Sequence, residues 1–313
     1  MPDTADGNRA GGLREGVVVH LVSRGFVAES GGDRVRCELH GLTKGSRRET
    51  THPVAVGDLV RFTGTSPGEG VLEEVLPQRS RFSRMAPDGR FEQVLAANAD
   101  AVLVITSTEK RLFRPGLVDR VLAAAELSGI EGWVCLNKTD LPVPGEVLGT
   151  LAAWSALGYR TFRTSAQTGE GVEELRTAVA GKTVVLLGHS GVGKSSLLLR
   201  LEPGLELVTQ PTSRKTGRGR HTTTAPERFR VGSDAFVIDT PGVREFQPFG
   251  IDAANLWTTY PEMRERGRAC RFSNCRHVGV IECAVAEALQ RGEIDAGRFD
   301  RYRKFLEDLQ NGL

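Results

Sequence analysis

The sequence predicts an α/β domain with a mainly parallel sheet, placed between a small antiparallel β-barrel and a mostly helical C-terminal domain. Residues 13–80 consist of short alternating or β-branched runs broken by turn residues, which favours the barrel. Residues 81–250 alternate apolar strand patterns with helical patterns, which favours a parallel sheet covered on both faces. Residues 251–313 carry a cysteine cluster and then apolar residues at helical spacing. Residues 1–12 are polar and small, and we expect a disordered tail there.

The barrel is predicted from three segments, which read REGVVVHLVSRGFVAES, DRVRCELHG and PVAVGDLVRFTG. Their spacing is typical of a small barrel of the OB type, and such barrels often bind RNA or single-stranded nucleic acid. Fold alone does not distinguish this barrel from one without a nucleic-acid role. We therefore expect an OB-fold RNA-binding barrel and leave the second possibility open.

The α/β domain is predicted from five apolar segments and the helical patterns between them. Helices are expected over 116–129 and 169–181, where apolar residues recur at helical spacing. The strand candidates are AVLVIT (101–106), WVCLN (133–137), YRTFRTS (159–165), TVVLLG (183–188) and AFVIDT (235–240).

Composition indicates a soluble globular protein of two or three domains. The chain has 313 residues, of which 39% are hydrophobic and 26% charged, and a net charge of only +2. No apolar run approaches 18 residues and the first residues hold no apolar signal core, so we expect a cytoplasmic protein without a membrane partner. Residues 211–230 hold six Arg or Lys against one acid. This local charge fits a binding loop or a solvated one equally well.

A phosphate-binding loop is predicted at GHSGVGKS (188–195), which fits G-x-x-x-x-G-K-[ST] and follows an apolar strand. The glycines let backbone N–H groups turn towards phosphate oxygens, and Lys194 places a positive charge at the β- and γ-phosphates. Ser195 is suited to ligate Mg²⁺. The alternative, a glycine-rich turn that binds nothing, does not explain why strand, spacing, Lys and Ser occur together. The predicted binding residues of this loop are Gly188, Ser190, Gly191, Val192, Gly193, Lys194, Ser195 and Ser196.

DTPG (239–242) follows another apolar strand. An Asp at that strand end is placed to hold the hydration shell of Mg²⁺, and the Gly242 N–H can reach the γ-phosphate. D-T-P-G alone is a common turn. Together with the phosphate loop, Asp239 and Gly242 indicate a second switch that senses the nucleotide.

A guanine site is predicted from NKTD (137–140) and SAQTG (165–169). Guanine presents two N–H donors on its Watson–Crick edge, and the Asp140 carboxylate can accept both, whereas adenine lacks this pair. Asn137 can tie the base loop to the phosphate loop, and the Lys138 stem can cover the base. The second loop contributes Ser165 and the Ala166 N–H, which can meet guanine O6.

The order of these motifs is reversed relative to Ras-like GTPases. Along the chain they read NKTD, SAQTG, GHSGVGKS, a Thr-rich loop and DTPG, which is the usual set rotated. Strand contacts survive if the original ends are joined and the chain is cut elsewhere, so the sequence predicts a circularly permuted GTPase domain. The cut then falls just after the second switch. We hypothesise that this order connects the switch to the C-terminal domain.

A zinc site is predicted near the C-terminus, where CRFSNCRHVGVIEC has the spacing C-x₄-C-x-H-x₅-C. Three thiolates and one imidazole form a complete tetrahedral set for one structural Zn²⁺. Unrelated buried cysteines are the alternative, and Cys37 and Cys135 fit that description better because they occur in strand patterns. The candidate zinc ligands are Cys270, Cys275, His277 and Cys283.

The chain resembles the ribosome small subunit-dependent GTPase A family, bacterial factors for late maturation of the small ribosomal subunit. The resemblance covers nearly the whole chain after the first dozen residues, and its signatures are VAVGDLV, LAANADAVLVIT, NKTD, GHSGVGKSS, GRHTTT, DTPGVREF and the cysteine cluster. It implies GTP hydrolysis stimulated by the small subunit, with rRNA contacts from the barrel and the zinc domain. The chain differs from the family at Asn274, where Asp is frequent, and over 280–282, where Glu-Pro-Gly is frequent.

Ras-like enzymes place a water-orienting Gln directly after the second-switch Gly, but Val243 stands there. GRHTTT (219–224) is the matching first switch, and the resemblance implies that His221 acts on the water and Thr223 on Mg²⁺. We therefore expect catalytic roles for His221, Thr223 and Lys194. The alternative for His221 is an RNA-facing loop residue.

Three functions remain to be compared. The first is a monomeric GTPase that binds GTP and GDP and assists assembly of the small ribosomal subunit through its rRNA. The second is an RNA-binding scaffold or nucleotide sensor with negligible turnover, which the missing Gln favours. The third, a P-loop ATPase or small-molecule kinase, is disfavoured by Asp140 and NKTD.

Overall fold

The computed structural model describes residues 12–39, 50–109, 111–205, 225–243 and 245–312. The predicted tail, apart from Gly12, lies outside these ranges. The same holds for His221 and Thr223 in the predicted first switch.

Five strands close into a barrel at the start of the described chain. Their order is β1-β2-β3-β5-β4, with β4 pairing back to β1. β3 and β5 run parallel, and the other neighbours run antiparallel. The interior is apolar and includes the buried side chains of Phe26 and Phe62. The predicted OB-type barrel is thereby confirmed. Its strands are β1 (Leu13–Val22), β2 (Gly25–Ser30), β3 (Asp33–Glu38), β4 (Leu59–Ser66) and β5 (Glu69–Val75).

The start of the third predicted barrel segment is not a strand, because β4 begins only at Leu59. Just before it, the Ala55 N–H donates to the Asp58 carboxylate at 2.7 Å and closes a turn. Gly57 has φ of 93°, and a Cβ there would lie 2.1 Å from the Ala97 carbonyl oxygen. Val54 is buried in the barrel core and Val56 in a core of the next domain, so the side chains of PVAVG fill the junction between the two.

The α/β domain has the strand order β10-β9-β8-β11-β13-β12. The first five strands run parallel, and β12 is antiparallel to β13. All five predicted strands are present, with β10 shorter than its sequence pattern. The strands are β8 (Ala101–Ser107), β9 (Glu131–Asn137), β10 (Arg160–Arg163), β11 (Thr183–Gly188), β12 (Glu227–Val231) and β13 (Ala235–Asp239).

Helices cover both faces of this sheet. Along β8, Val102 and Val104 enter one apolar core, which α1 and α2 cover. Leu103 and Ile105 enter the opposite core, which α3 and α4 cover. Successive side chains of a strand point to opposite faces, so continuous apolar runs such as AVLVIT are expected here. The helices are α1 (Pro115–Ser128), α2 (Gly145–Ala156), α3 (Val172–Val179) and α4 (Lys194–Leu201).

A two-stranded hairpin, which the sequence did not predict, precedes the parallel sheet. It consists of β6 (Arg81–Met85) and β7 (Glu92–Ala97). Phe82 stacks on Phe246 with ring centroids 5.8 Å apart, and the Met85 N–H donates to the Gln247 carbonyl at 2.8 Å. The segment that follows DTPG is thus fastened to this hairpin.

The barrel joins the edge of the large sheet through β1 and β12, which pair at His20 and Glu227. The barrel strands and the parallel strands therefore belong to one hydrogen-bonded sheet. β12 begins only three residues after the last residue of the predicted first switch.

The C-terminal domain is mostly helical and packs against α1. Arg298 is buried, and its guanidinium donates to Asp119 of α1 and to Glu262, each at 2.5 Å. Although burial opposes the charge, the two carboxylates together raise the pKa of Arg298 above its ordinary value. The elements are a 3-10 turn (Leu256–Thr259), α5 (Pro261–Gly267), α6 (Ala284–Gln290) and α7 (Ala296–Gln310).

Candidate nucleotide and metal sites

The predicted motifs meet at the carboxyl ends of neighbouring parallel strands. β9 ends at Asn137, β11 at Gly188 and β13 at Asp239, and Ser165 follows β10 by two residues. Ligands of open α/β sheets bind in the crevice at this edge. The reversed motif order therefore still produces one composite site.

The phosphate loop runs from the end of β11 to the start of α4 at Lys194. Gly191 and Gly193 have φ of 93° and 96°. A Cβ on Gly193 would lie 2.4 Å from Nδ2 of Asn137, so only glycine allows the base loop to approach this closely. N–H groups of such a loop and of the helix start form an anion site.

Lys194 bends back over the loop, where its ammonium donates to the Gly188 carbonyl at 3.0 Å. Burial lowers the pKa of Lys194, and the nearby Asp239 carboxylate opposes that shift. Nucleotide phosphates would stabilise the charged ammonium further, so they are the complementary ligand. Ser195, the second residue of α4, is partly exposed, and Ser196 is exposed.

The DTPG segment lies against the phosphate loop. Asp239 is buried at the end of β13, and the Thr240 hydroxyl donates to the Leu186 carbonyl at 2.7 Å. A Cβ on Gly242 would lie 3.3 Å from the Ser190 nitrogen and 3.5 Å from Nζ of Lys194. The segment is therefore placed to sense a group bound to the phosphate loop.

Val243 turns away from this crevice. Its backbone N–H donates to the Gly188 carbonyl at 3.2 Å, while its side chain is buried in the core that contains Phe246. A hydrocarbon side chain in that position neither orients nor activates water.

Asn137 connects the base loops to the phosphate loop. Its side-chain amide is buried and donates to the Val192 carbonyl at 2.9 Å. Its Oδ1 accepts from the Thr164 hydroxyl and from the Ala166 N–H, each at 3.2 Å. One side chain thus holds three loops that are far apart in sequence.

The two remaining residues of the base motif are held by partners in adjacent loops. The buried Ser165 hydroxyl donates to Oδ1 of the exposed Asp140 at 2.5 Å. Lys138 has φ of 65°, and its ammonium contacts Glu109 at 2.6 Å. These contacts orient the carboxylate and the lysine stem at the same edge of the crevice.

Sequence reasoning missed Thr164 and Glu109 as supporting residues. Thr164 precedes SAQTG directly, so its place beside a base loop was a usable signal. Glu109 lies 29 residues before Lys138 and occurs in no recognised motif.

The four candidate zinc ligands converge on one point, with all ligand atoms within 4.8 Å of one another. The Sγ atom of Cys283 lies 3.8 Å from that of Cys270 and 3.7 Å from that of Cys275. Nδ1 of His277 lies 3.5 Å from Sγ of Cys270 and 3.4 Å from Sγ of Cys283. Tetrahedral Zn²⁺ with ordinary bond lengths requires S···S of about 3.8 Å and S···N of about 3.6 Å. The residues therefore fit the ion.

The surroundings of this cluster also suit a metal. Burial lowers the pKa of His277 to about 4, so its imidazole is neutral and can act as a ligand at neutral pH. Burial raises the pKa of the Cys283 thiol to about 12, so a cation is needed to hold that sulfur as a thiolate. Trp257 packs edge-on to the His277 ring at 5.2 Å. All five cysteines are described, and none forms a disulfide.

The comparisons with known proteins agree with this geometry. The model of the family described as RsgA GTPase matches residues 75–249. A small ribosomal subunit biogenesis GTPase RsgA from Chlorobaculum parvum is 39% identical and covers 94% of this chain and 97% of its own. One from Gemmatimonas aurantiaca is 36% identical and covers 88% of each chain. The chain belongs to the RsgA GTPase family.

Two solved structures extend the RsgA likeness to the whole fold. The crystal structure of YjeQ from Thermotoga maritima has 31% identity and a TM-score of 0.76, covering 95% of this chain and 99% of that one. YloQ, described as a circularly permuted GTPase, has 25% identity and a TM-score of 0.70, covering 98% of each chain. The family assignment and the permutation predicted from the motif order are thereby confirmed. No described helix is long and apolar enough to cross a membrane.

Proposed function

We propose that this RsgA-family GTPase binds GTP in the crevice described above and acts in maturation of the small ribosomal subunit. The observation that carries the proposal is the contact of Asn137 with Val192, which joins a guanine reader to a phosphate loop. The relatives named small ribosomal subunit biogenesis GTPase, which match along nearly the whole chain, support the biological role.

The binding roles follow from the chemistry of each group. Asp140 accepts the two guanine N–H donors, and the Ala166 N–H donates to guanine O6. The Lys138 stem covers the base face. Around the phosphates, Lys194 supplies the charge, and the Gly242 N–H reports the γ-phosphate. The other proposed binding residues are Asn137, Ser165, Gly188, Ser190, Gly191, Val192, Gly193, Ser195, Ser196 and Asp239.

Mg²⁺ is the metal proposed to accompany GTP, where it neutralises charge that develops on the phosphates. Ser195 and Thr223 would ligate it, and Asp239 would hold its water shell. His221 would orient the attacking water, since Val243 is buried in the core.

The flanking domains would hold the protein on its partner. We propose that the barrel (13–80) and the zinc-binding domain (251–313) contact rRNA, with the GTPase domain (81–250) between them. The Cys₃His cluster would hold one structural Zn²⁺. We further propose that the protein is a cytoplasmic monomer. We also propose that a change at DTPG on nucleotide binding reaches the rest of the chain through the contact of Phe246 with the hairpin.

A second function, a nucleotide sensor with negligible turnover, is favoured by the position of Val243. Multiple-turnover phosphate release separates the two functions. The proposed GTPase releases many phosphates per chain when small subunits are present, whereas a sensor releases at most one. The variant His221→Ala should bind GTP normally and lose the stimulated turnover. Turnover equal to that of the parent chain would remove His221 from the mechanism.

A further inference from the structure

Arg200 connects the helix of the phosphate loop to the second base loop. Its Nε donates to the Ala166 carbonyl at 2.8 Å, and its Nη2 donates to the Gln167 carbonyl at 2.7 Å. Within the described ranges no other donor reaches either carbonyl. The planar guanidinium presents two donors in a fixed fork, and this geometry suits two neighbouring carbonyls.

Other hydrogen bonds hold this loop from the other side. The Ala166 N–H donates to Oδ1 of Asn137 at 3.2 Å, and the Gly169 N–H donates to the Ser165 carbonyl at 2.8 Å. Asn137 therefore fixes the peptide before Ala166, and Arg200 fixes the peptide after it. Only the two dihedrals of Ala166 lie between these planar peptides, so both are constrained.

We infer that Arg200 is a positioning residue for guanine recognition. It holds the Ala166 peptide so that the Ala166 N–H, which donates to Oδ1 of Asn137 in this structure, can exchange that acceptor for the base oxygen O6. This inference rests on the proposed role of Ala166 in base binding. Arg200 acts through the loop and not on the nucleotide. Because α4 also begins with Lys194, one helix carries both the phosphate charge and the support of the base loop.

A purely structural role would look different, and Arg176 provides the comparison. Its Nη2 donates to the Arg200 carbonyl at 2.9 Å and so links α3 to α4. Arg176 donates no hydrogen bond to Ala166 or Gln167 in the described structure. If Arg200 served only to pack these helices, Arg176→Ala would have the same effect as Arg200→Ala.

The test measures dissociation constants of GTP, 6-thioguanosine triphosphate and ITP. The thio analogue replaces O6 with sulfur, a weak acceptor, whereas ITP keeps O6 and lacks the amino group read by Asp140. The inference predicts that Arg200→Ala weakens GTP binding about tenfold, the size expected for losing charge-assisted hydrogen bonds. Binding of the thio analogue should weaken much less, so the ratio of affinities for GTP and the thio analogue should fall. The ratio of affinities for GTP and ITP should stay the same.

Two further variants and the parent chain separate the outcomes. Arg200→Lys, which can reach one carbonyl, should restore part of the preference for O6, and Arg176→Ala should leave all three ratios unchanged. Equal weakening of the three nucleotides by Arg200→Ala, or no weakening, would overturn the role of Arg200. A parent chain that does not distinguish GTP from its thio analogue would contradict the proposed role of Ala166 instead.

Discussion

Nδ2 of Asn137 lies 2.9 Å from the Val192 carbonyl oxygen, although the two residues are 55 positions apart and their motifs occur in reversed order. Asn137 ends β9 and Val192 lies in the loop that follows β11, a strand close to β9 in the sheet, and cutting the chain elsewhere leaves that arrangement intact. The contact explains how a permuted chain keeps one guanine-nucleotide site.

Replacing Asn137 should therefore lower both the affinity for guanine nucleotide and the free energy of unfolding. Asn137→Ala removes the donor to Val192 and leaves buried polar partners unsatisfied, which costs about 1–3 kcal/mol of unfolding free energy. We expect at least tenfold weaker GDP binding by calorimetry. Asn255→Ala is the control, since Asn255 makes two similar loop bonds, to Gly250 and Asp252, away from the crevice. Unchanged GDP affinity in Asn137→Ala would contradict the bridging role.

Base specificity should follow Asp140. Asp140→Asn places an amide donor opposite guanine N–H groups, so GTP affinity should fall by about two orders of magnitude, the cost of unpaired buried groups. Xanthosine triphosphate should bind the variant better than it binds the parent chain, because its C2 carbonyl accepts a hydrogen bond. Competition binding measures both changes. Equal affinity of the parent chain for ATP and GTP would exclude the guanine assignment.

The fold followed from periodicity and from motif context. Continuous apolar runs such as AVLVIT indicated buried parallel strands, and the two cores on either side of β8 explain why they contain no polar alternation. The hairpin β6–β7 was missed because its apolar contacts, such as Phe82 with Phe246, come from distant sequence. PVAVG looked like a strand because it alternates, but its side chains fill a domain junction.

The candidate site was predictable where a motif fixes both residue type and backbone. Gly193 and Asn137 belong to such motifs. A Cβ on Gly193 would lie only 2.4 Å from Nδ2 of Asn137, which shows why glycine is needed. Supporting residues such as Glu109 and Arg200 were not predictable. Their role depends on loops that meet only after folding, and other long polar side chains could supply similar contacts.

Zinc removal should affect the C-terminal domain selectively. Cys275→Ser removes one of four ligands, so metal analysis should find well below the one zinc ion per chain expected for the parent. Thermal unfolding should show an early loss of the C-terminal helices, with GDP binding retained. Cys37→Ser, which changes a buried cysteine of the barrel, should keep its zinc. Absence of zinc from parent chain purified without chelator would contradict the site.

The buried ion pairs of Arg298 should hold the C-terminal domain on the GTPase domain. Arg298→Met leaves the buried Glu262 carboxylate without its ion-pair partner, while Asp119 keeps its pair with Arg301. Breaking a buried pair in this way costs about 3–5 kcal/mol. Urea unfolding should show that loss and a separation of the two domains into distinct transitions. Arg303→Met removes an exposed pair with Asp300 and should change stability by less than about 1 kcal/mol. Similar losses in both variants would argue against a domain lock.

The most direct test of the central claim is a GTPase titration with purified small subunits, large subunits or no ribosomal particles, each at low and high salt. With Val243 in the core, we expect slow turnover without particles and strong acceleration by small subunits alone. That acceleration should fall steeply with salt, because contacts to RNA phosphates release counterions. Basal turnover should change little over the same range. Equal turnover in all three conditions at low salt would contradict the account and leave a permuted GTPase without a ribosomal partner.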